Sequence, residues 1–99
     1  MIKTTFLLEA EEELNSSAQF YNQQSSGLGL DFLEEIEKSL QFIEKDPESW
    51  PYYEQNIRQY NTRRFPFSIF YVFEKDIDKI IIIAVAHQKR KPGYWKQKF

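Results

Sequence analysis

The spacing of apolar side chains along this chain changes character twice. Ile2 to Leu8 is a short apolar run with two threonines and no helical spacing, which predicts a strand. From Glu9 onward, Ala10, Leu14, Ala18 and Tyr21 recur at intervals of four, four and three. Acids at 9, 11, 12 and 13 crowd the start of this stretch, where a helix dipole favours negative charge. Leu33, Ile36, Leu40 and Ile43 repeat the pattern, and Phe32 widens their stripe. Asp46-Pro47 ends it, because a residue before proline is pushed out of the α region. Between the two stretches, Ser25, Ser26, Gly27 and Gly29 bring the freedom of positive φ that a tight connection between antiparallel helices uses.

After Pro51 the period becomes two or disappears. Ile57 to Phe65 reads as a mixed polar strand carrying Arg58, Arg63 and Arg64, Phe67 to Phe73 as a strand apolar on both faces, and Lys79 to His87 as an almost continuously apolar one. Glu74 to Asp78 is a charged turn, and Pro66, which has no N–H for a ladder, marks the bend between the first two of these strands. Trp50, Tyr52 and Tyr53 are expected to fasten the loop after the helices onto the core. The pattern predicts an α+β fold: an N-terminal strand, a two-helix antiparallel hairpin, then a three-stranded antiparallel meander, with the helices on one face of the sheet. Central strands apolar on both faces need cover on both. The second cover is expected from the C-terminal tail, from a homodimer or from a partner protein.

Composition narrows the class. Ninety-nine residues with 41% apolar and 28% charged side chains make one globular domain spanning 1–99, with no internal repeat and no dividing linker. The absence of cysteine excludes a disulfide framework, a thiolate metal site and a cysteine nucleophile. The longest apolar run, Ile80 to Ala86, falls far short of the roughly 20 residues that span a bilayer, and Met1 to Ala10 lacks a signal-peptide pattern, so no membrane partner and a cytoplasmic location are expected. Charge is divided: residues 1–50 hold three Lys/Arg against eleven Asp/Glu, and residues 51–99 hold ten against four. Such a split suits either a basic second half that meets an anionic or acidic partner, or two halves that neutralise each other in the fold.

Few residues suit chemistry. His87, the one histidine, closes the last predicted strand three residues before Arg90, a place suited to acid–base work on a phosphodiester, though a lone histidine without a motif is more often a hydrogen-bonded strand end. Arg63 and Arg64, adjacent at the end of a strand, are expected on opposite faces, one free to hold a phosphate or a partner's acid and either able to bridge to the acidic helices. Gln88-Lys89-Arg90-Lys91 followed by Tyr94, Trp95, Lys96 and Lys98 interleaves cations with rings, as single-stranded nucleic acid binders do and as a solvated tail also does. Glu34, Glu35 and Glu37 fall beyond the apolar stripe and read as a solvated face. No metal is expected, since paired-ligand spacings are missing, and no phosphate-binding cofactor either, since Gly27 and Gly29 fit no glycine-loop spacing.

The order of elements, together with Ala18-Gln19-Phe20-Tyr21, Leu28-Gly29-Leu30-Asp31-Phe32, Asp46-Pro47-Glu48-Ser49-Trp50-Pro51, Arg64-Phe65-Pro66-Phe67 and Ala84-Val85-Ala86-His87 followed by Arg90-Lys91-Pro92-Gly93-Tyr94-Trp95, resembles the RelE/ParE superfamily of bacterial toxins from type II toxin–antitoxin modules. The resemblance spans nearly the whole chain and implies a cytoplasmic toxin neutralised by a cognate antitoxin, as a homodimer or a toxin–antitoxin hetero-oligomer. RelE-like members are ribosome-dependent mRNA endonucleases that need no metal. In that reading the resemblance gives Arg64 the phosphorane, His87 the role of general base or acid, Tyr94 the leaving oxygen, and Arg90 the phosphate. ParE-like members, the plasmid-stabilisation subgroup, poison DNA gyrase, and Arg63, Arg90, Lys91, Trp95 and Lys96 are expected to bind the target or a phosphate. A decayed module that binds its antitoxin and harms nothing is a third reading. The acidic pI near 5.4 suits a phosphate-dense ribosomal target poorly. RelE's lysine pair has no counterpart between Arg58 and Phe65, and the long helical stripes resemble ParE-like members. Gyrase inhibition is therefore favoured over RNA cleavage.

Overall fold

A computed structural model of the chain describes residues 2–90 and Trp95. Its elements are β1 (Lys3–Phe6), α1 (Leu8–Gln24), α2 (Leu28–Lys45), β2 (Tyr52–Glu54), β3 (Ile57–Asn61), β4 (Phe67–Glu74) and β5 (Lys79–His87), with one 3-10 turn at Lys75–Ile77. The fold is α+β as the pattern predicts, but the sheet is larger than a three-stranded meander. Five strands lie in the order β1-β5-β4-β3-β2, with β1 parallel to β5 and the other pairs antiparallel. Hydrophobic period reports an element's type and not its neighbour, so the parallel pairing of the two ends of the chain is silent in the sequence. β2 has three residues, too few for alternation to show.

The two helices form the hairpin, and their connection corrects one expectation. Gly27 takes φ +87° and its N–H donates to Asn22 Oδ1 at 3.0 Å, the positive-φ turn foreseen. Gly29 does something else: it lies inside α2, and a Cβ there would stand 2.4 Å from Ala18 O, so glycine permits the helices to touch. α2 buries Phe32, Ile36 and Ile43 on the predicted stripe, and Ser39 joins them because its hydroxyl donates back to Glu35 O at 2.9 Å.

The helices cover one face of the sheet. Ala10, Phe32, Ile36 and Ile43 pack there against Tyr60, Phe65, Phe67, Ile69, Tyr71, Ile80, Ile82 and Val85. On the second face Ile57, Phe70, Val72, Ile83, Ala84 and Ala86 form another cluster. Both Ile83 and Ala84 lie on this face because Ile83 is an extra residue, a bulge between the pairs Phe70↔Ala84 and Tyr71↔Ile82. From the tail, Trp95 closes over this cluster, its ring 4.3 Å from Phe70 and 5.8 Å from Tyr53. The expected fastening of the segment after the helices is real but divided between faces: Trp50 packs edge-on to Tyr60 at 4.7 Å on the helical side, and Tyr53 reaches Phe70 on the other. Between them Arg58 is buried, donating to Trp50 O at 2.6 Å and Tyr52 Oη at 2.8 Å.

Candidate functional site

The residues singled out for chemistry gather around two chain segments at one end of the sheet, the β3–β4 loop and the turn after β5. The loop is built by Thr62 and Pro66. Thr62 N–H donates to Phe67 O at 2.9 Å, the Thr62 hydroxyl donates to Phe65 O, and Phe67 N–H reaches Phe65 O at 2.8 Å around a proline with no N–H of its own. β3 therefore ends at Asn61, and Arg63 and Arg64 stand in a loop; the expectation that strand alternation sends them to opposite faces does not hold. Their backbone N–H groups both donate to Glu35 Oε2, at 2.9 and 3.0 Å. The Arg64 guanidinium pairs with Asp31 at 3.3 Å, and that of Arg63 lies 5.3 Å from the Phe42 ring centroid. Glu35 is thus an anchor and not part of a solvated face, whereas Glu34 and Glu37 are exposed as expected.

The second segment is tied to the first by Gln88, whose N–H donates to Pro66 O at 2.8 Å and whose Nε2 donates to Phe67 O at 3.1 Å. His87 stands opposite Phe67 in register, with ring centroids 5.3 Å apart. Its Nδ1 accepts the Lys89 N–H at 3.1 Å, so the neutral ring carries its proton on Nε2 and presents a donor outward. Arg90 N–H returns to His87 O at 2.9 Å, and its guanidinium lies 3.3 Å from Glu13 Oε2. His87 and Arg90 border two hollows. The larger, about 450 Å3, lies between α1 and the end of β5 and includes Trp95; the smaller, about 230 Å3, opens on the second face beside Gln59, Asn61, Ser68 and Gln88. Arg64 borders neither.

Of the predicted site residues, the structure brings together His87, Arg90 and Trp95, and it sets Arg63 and Arg64 on the α2 side of the sheet end. Trp95 is 4% exposed, a covering residue and not a surface ring. Lys91, Tyr94 and Lys96 lie outside the described residues. Among the described residues, no group of three or more His, Asp or Glu converges as a metal site requires. Arg64–Asp31, Arg90–Glu13 and Lys75–Glu48 each join a base of the second half to an acid of the first, so the charge division seen in the sequence is closed in part within the fold. Glu13, Asp31 and Glu35 escaped the sequence reading. Their positions carried a signal: Glu13 is one turn from Ala10, and Asp31 and Glu35 are neighbours of Phe32 and Ile36 and one turn from each other, at the border of each apolar stripe.

A family model described as the ParE toxin of type II toxin–antitoxin system, parDE, matches residues 5–92. No curated protein matches the chain. Among solved structures, a chain of the chromosomal ParDE TA system from P. aeruginosa superposes with a TM-score of 0.75 at 15% identity, covering 88% of this chain and 96% of that one. The isolated E. coli RelE toxin superposes with a TM-score of 0.68 at 16% identity, covering 99% of this chain and 96% of that one. At such identities the two structures establish the shared fold.

Proposed function

The chain belongs to the family of ParE toxins of type II toxin–antitoxin systems, and from that premise we propose that it is a cytoplasmic toxin that arrests growth by poisoning DNA gyrase and is neutralised by a cognate antitoxin protein. The observation that carries the choice of target is that the groups an RNA cleavage site would need are each engaged within the fold. Arg64 is held by Asp31 and borders neither hollow that His87 borders, while His87 spends its Nδ1 acceptor on Lys89 N–H and Arg90 is paired with Glu13. A general base must reach the proton it removes, and a phosphorane needs a cation aimed at it, so this arrangement suits recognition of a protein surface better than a phosphodiester reaction. In this reading Arg63 and Arg90 meet the target together with Lys91 and Lys96, which lie outside the described residues, and Trp95 braces the second face of the sheet. The acidic pI of 5.4 agrees, since phosphate-rich targets reward positive charge through counterion release.

One observation favours the ribonuclease alternative: the smaller hollow unites His87 and Arg90 with the linked polar side chains of Gln59, Asn61 and Ser68. Purified gyrase and plasmid DNA, with and without the toxin, separate the two. Accumulated gyrase–DNA cleavage complexes support the proposal. Their absence, with codon-linked cuts in ribosome-bound transcripts, supports RNA cleavage, and no growth arrest on expression marks an inactive module.

A further inference from the structure

α1 carries no lysine or arginine, and α2 carries two, Lys38 and Lys45. They stand four residues before and three residues after Phe42, so the three side chains leave one face of the helix. Both lysines are exposed, and the ring between them is 43% exposed. From the loop between β3 and β4, the Arg63 guanidinium comes to 5.3 Å from the Phe42 ring centroid. Among the described residues, Lys38, Lys45 and Arg63 have no carboxylate at ion-pair distance, unlike Arg64, Lys75 and Arg90. The acids of the same face are committed elsewhere, Glu35 to the N–H groups of Arg63 and Arg64 and Asp31 to the Arg64 guanidinium. Glu37 and Glu44 fall on the other side of the helix, where Glu44 accepts the Thr4 hydroxyl. The acidic helical layer thus inverts its charge at one place, around an open ring.

We propose that Phe42, Lys38, Lys45 and Arg63 form a docking patch for an acidic segment of the target protein, with an apolar side chain of that segment seated on the Phe42 ring and its carboxylates on the three cations. The partner's identity rests on the gyrase reading above. An aromatic ring with an arginine at the centre and lysines at the rim is the arrangement that concentrates binding energy at protein interfaces. The patch is also set before binding: Glu35 fixes the Arg63 backbone and the ring contact places its guanidinium, so little order remains to be lost. Its borders select a protein over a nucleic acid. Glu34 lies one turn before Lys38, and Asp31 and Glu35 close the N-terminal end of the face. A nucleic-acid backbone would carry its phosphates on past these acids, over a chain of pI 5.4, whereas a short acidic segment can stop where the cations stop.

The test uses the full chain, immobilised, with purified DNA-free gyrase flowed over it. Phe42→Ala is expected to weaken binding by about tenfold, chiefly through faster release. Lys38→Glu/Lys45→Glu, at two exposed positions that leave the core untouched, is expected to slow association and to flatten its dependence on salt. Phe20→Ala removes a ring more exposed than Phe42 from the helix that has no base, and keeps parental binding. A second arm reads the patch without gyrase, by adding a synthetic peptide alternating leucine and aspartate, or a short DNA duplex, to the isotope-labelled chain. The peptide is expected to shift the amide resonances of Lys38–Lys45 and Arg63, and the duplex to leave them in place. Parental gyrase binding by both the Phe42 and the lysine variants overturns the patch, and so does a duplex that moves those amides where the peptide does not. A chain that binds the peptide at these residues but no gyrase overturns the gyrase reading and leaves the patch standing, so the two fail separately.

Discussion

Glu35 illustrates how much a single carboxylate decides here. It collects the N–H groups of Arg63 and Arg64 on one oxygen and so sets the path of the loop that carries both guanidinium groups. Glu35→Ala leaves those two donors to water, and the expected cost is about 1 kcal/mol of stability, read as a lower urea midpoint with an unchanged slope. Tyr71 gives a second test at the same scale. It is fully buried, its hydroxyl donates to Pro47 O at 2.7 Å, and burial raises its pKa well above the ordinary tyrosine range, a push that the nearby Arg58 charge only partly opposes. The folded chain therefore keeps this proton to higher pH than the unfolded chain does, and stability falls as pH rises beyond roughly 10, the unfolded value. Tyr71→Phe is expected to lose about 1–2 kcal/mol at neutral pH by stranding the Pro47 carbonyl, and to flatten the alkaline fall in urea midpoint. A smaller slope persists, because burial also raises the pKa of Tyr21.

Among the elements, the helical hairpin depends on one missing side chain. Gly29→Ala places a methyl 2.4 Å from Ala18 O, backbone that cannot swing aside, so the helices must separate. The expected cost is about 1–3 kcal/mol, measured by thermal or urea unfolding and larger than that of Ala introduced at an exposed helix position. The elements were also the most legible part of the fold. Both helices, β4, β5 and the turn between them follow from apolar period, because each has enough residues for the period to show. The apolar run of β1 reaches Leu8, but Leu8 already begins α1, and the strand pattern of β3 reaches Phe65, but Thr62 starts the turn. What the pattern could not carry was partnership: the parallel register of β1 with β5, the bulge at Ile83 and the fusion of Arg64 with α2 each join residues distant in sequence. For the site, His87 and Arg90 were legible as a lone imidazole with a near cation. Glu13 was not, because acids at a helix start have a sufficient local explanation in the dipole.

At the scale of the whole molecule, an acidic helical layer lies against a sheet whose loop and turn carry the bases, and several of those bases are already paired with that layer. The pairs at Arg64 and Lys75 are exposed, so they are screened by salt and contribute little to stability. What these pairs do is offset part of the charge division between the two halves of the chain. The central claim is that toxicity needs a surface and not a cleavage site. The most direct measurement is growth after induced expression, without antitoxin, of the Arg64→Ala/His87→Ala double variant beside the parent chain. The account predicts that both arrest growth and that both accumulate gyrase–DNA cleavage complexes. A harmless double variant that folds like the parent, with transcripts cut only by the parent, would contradict it.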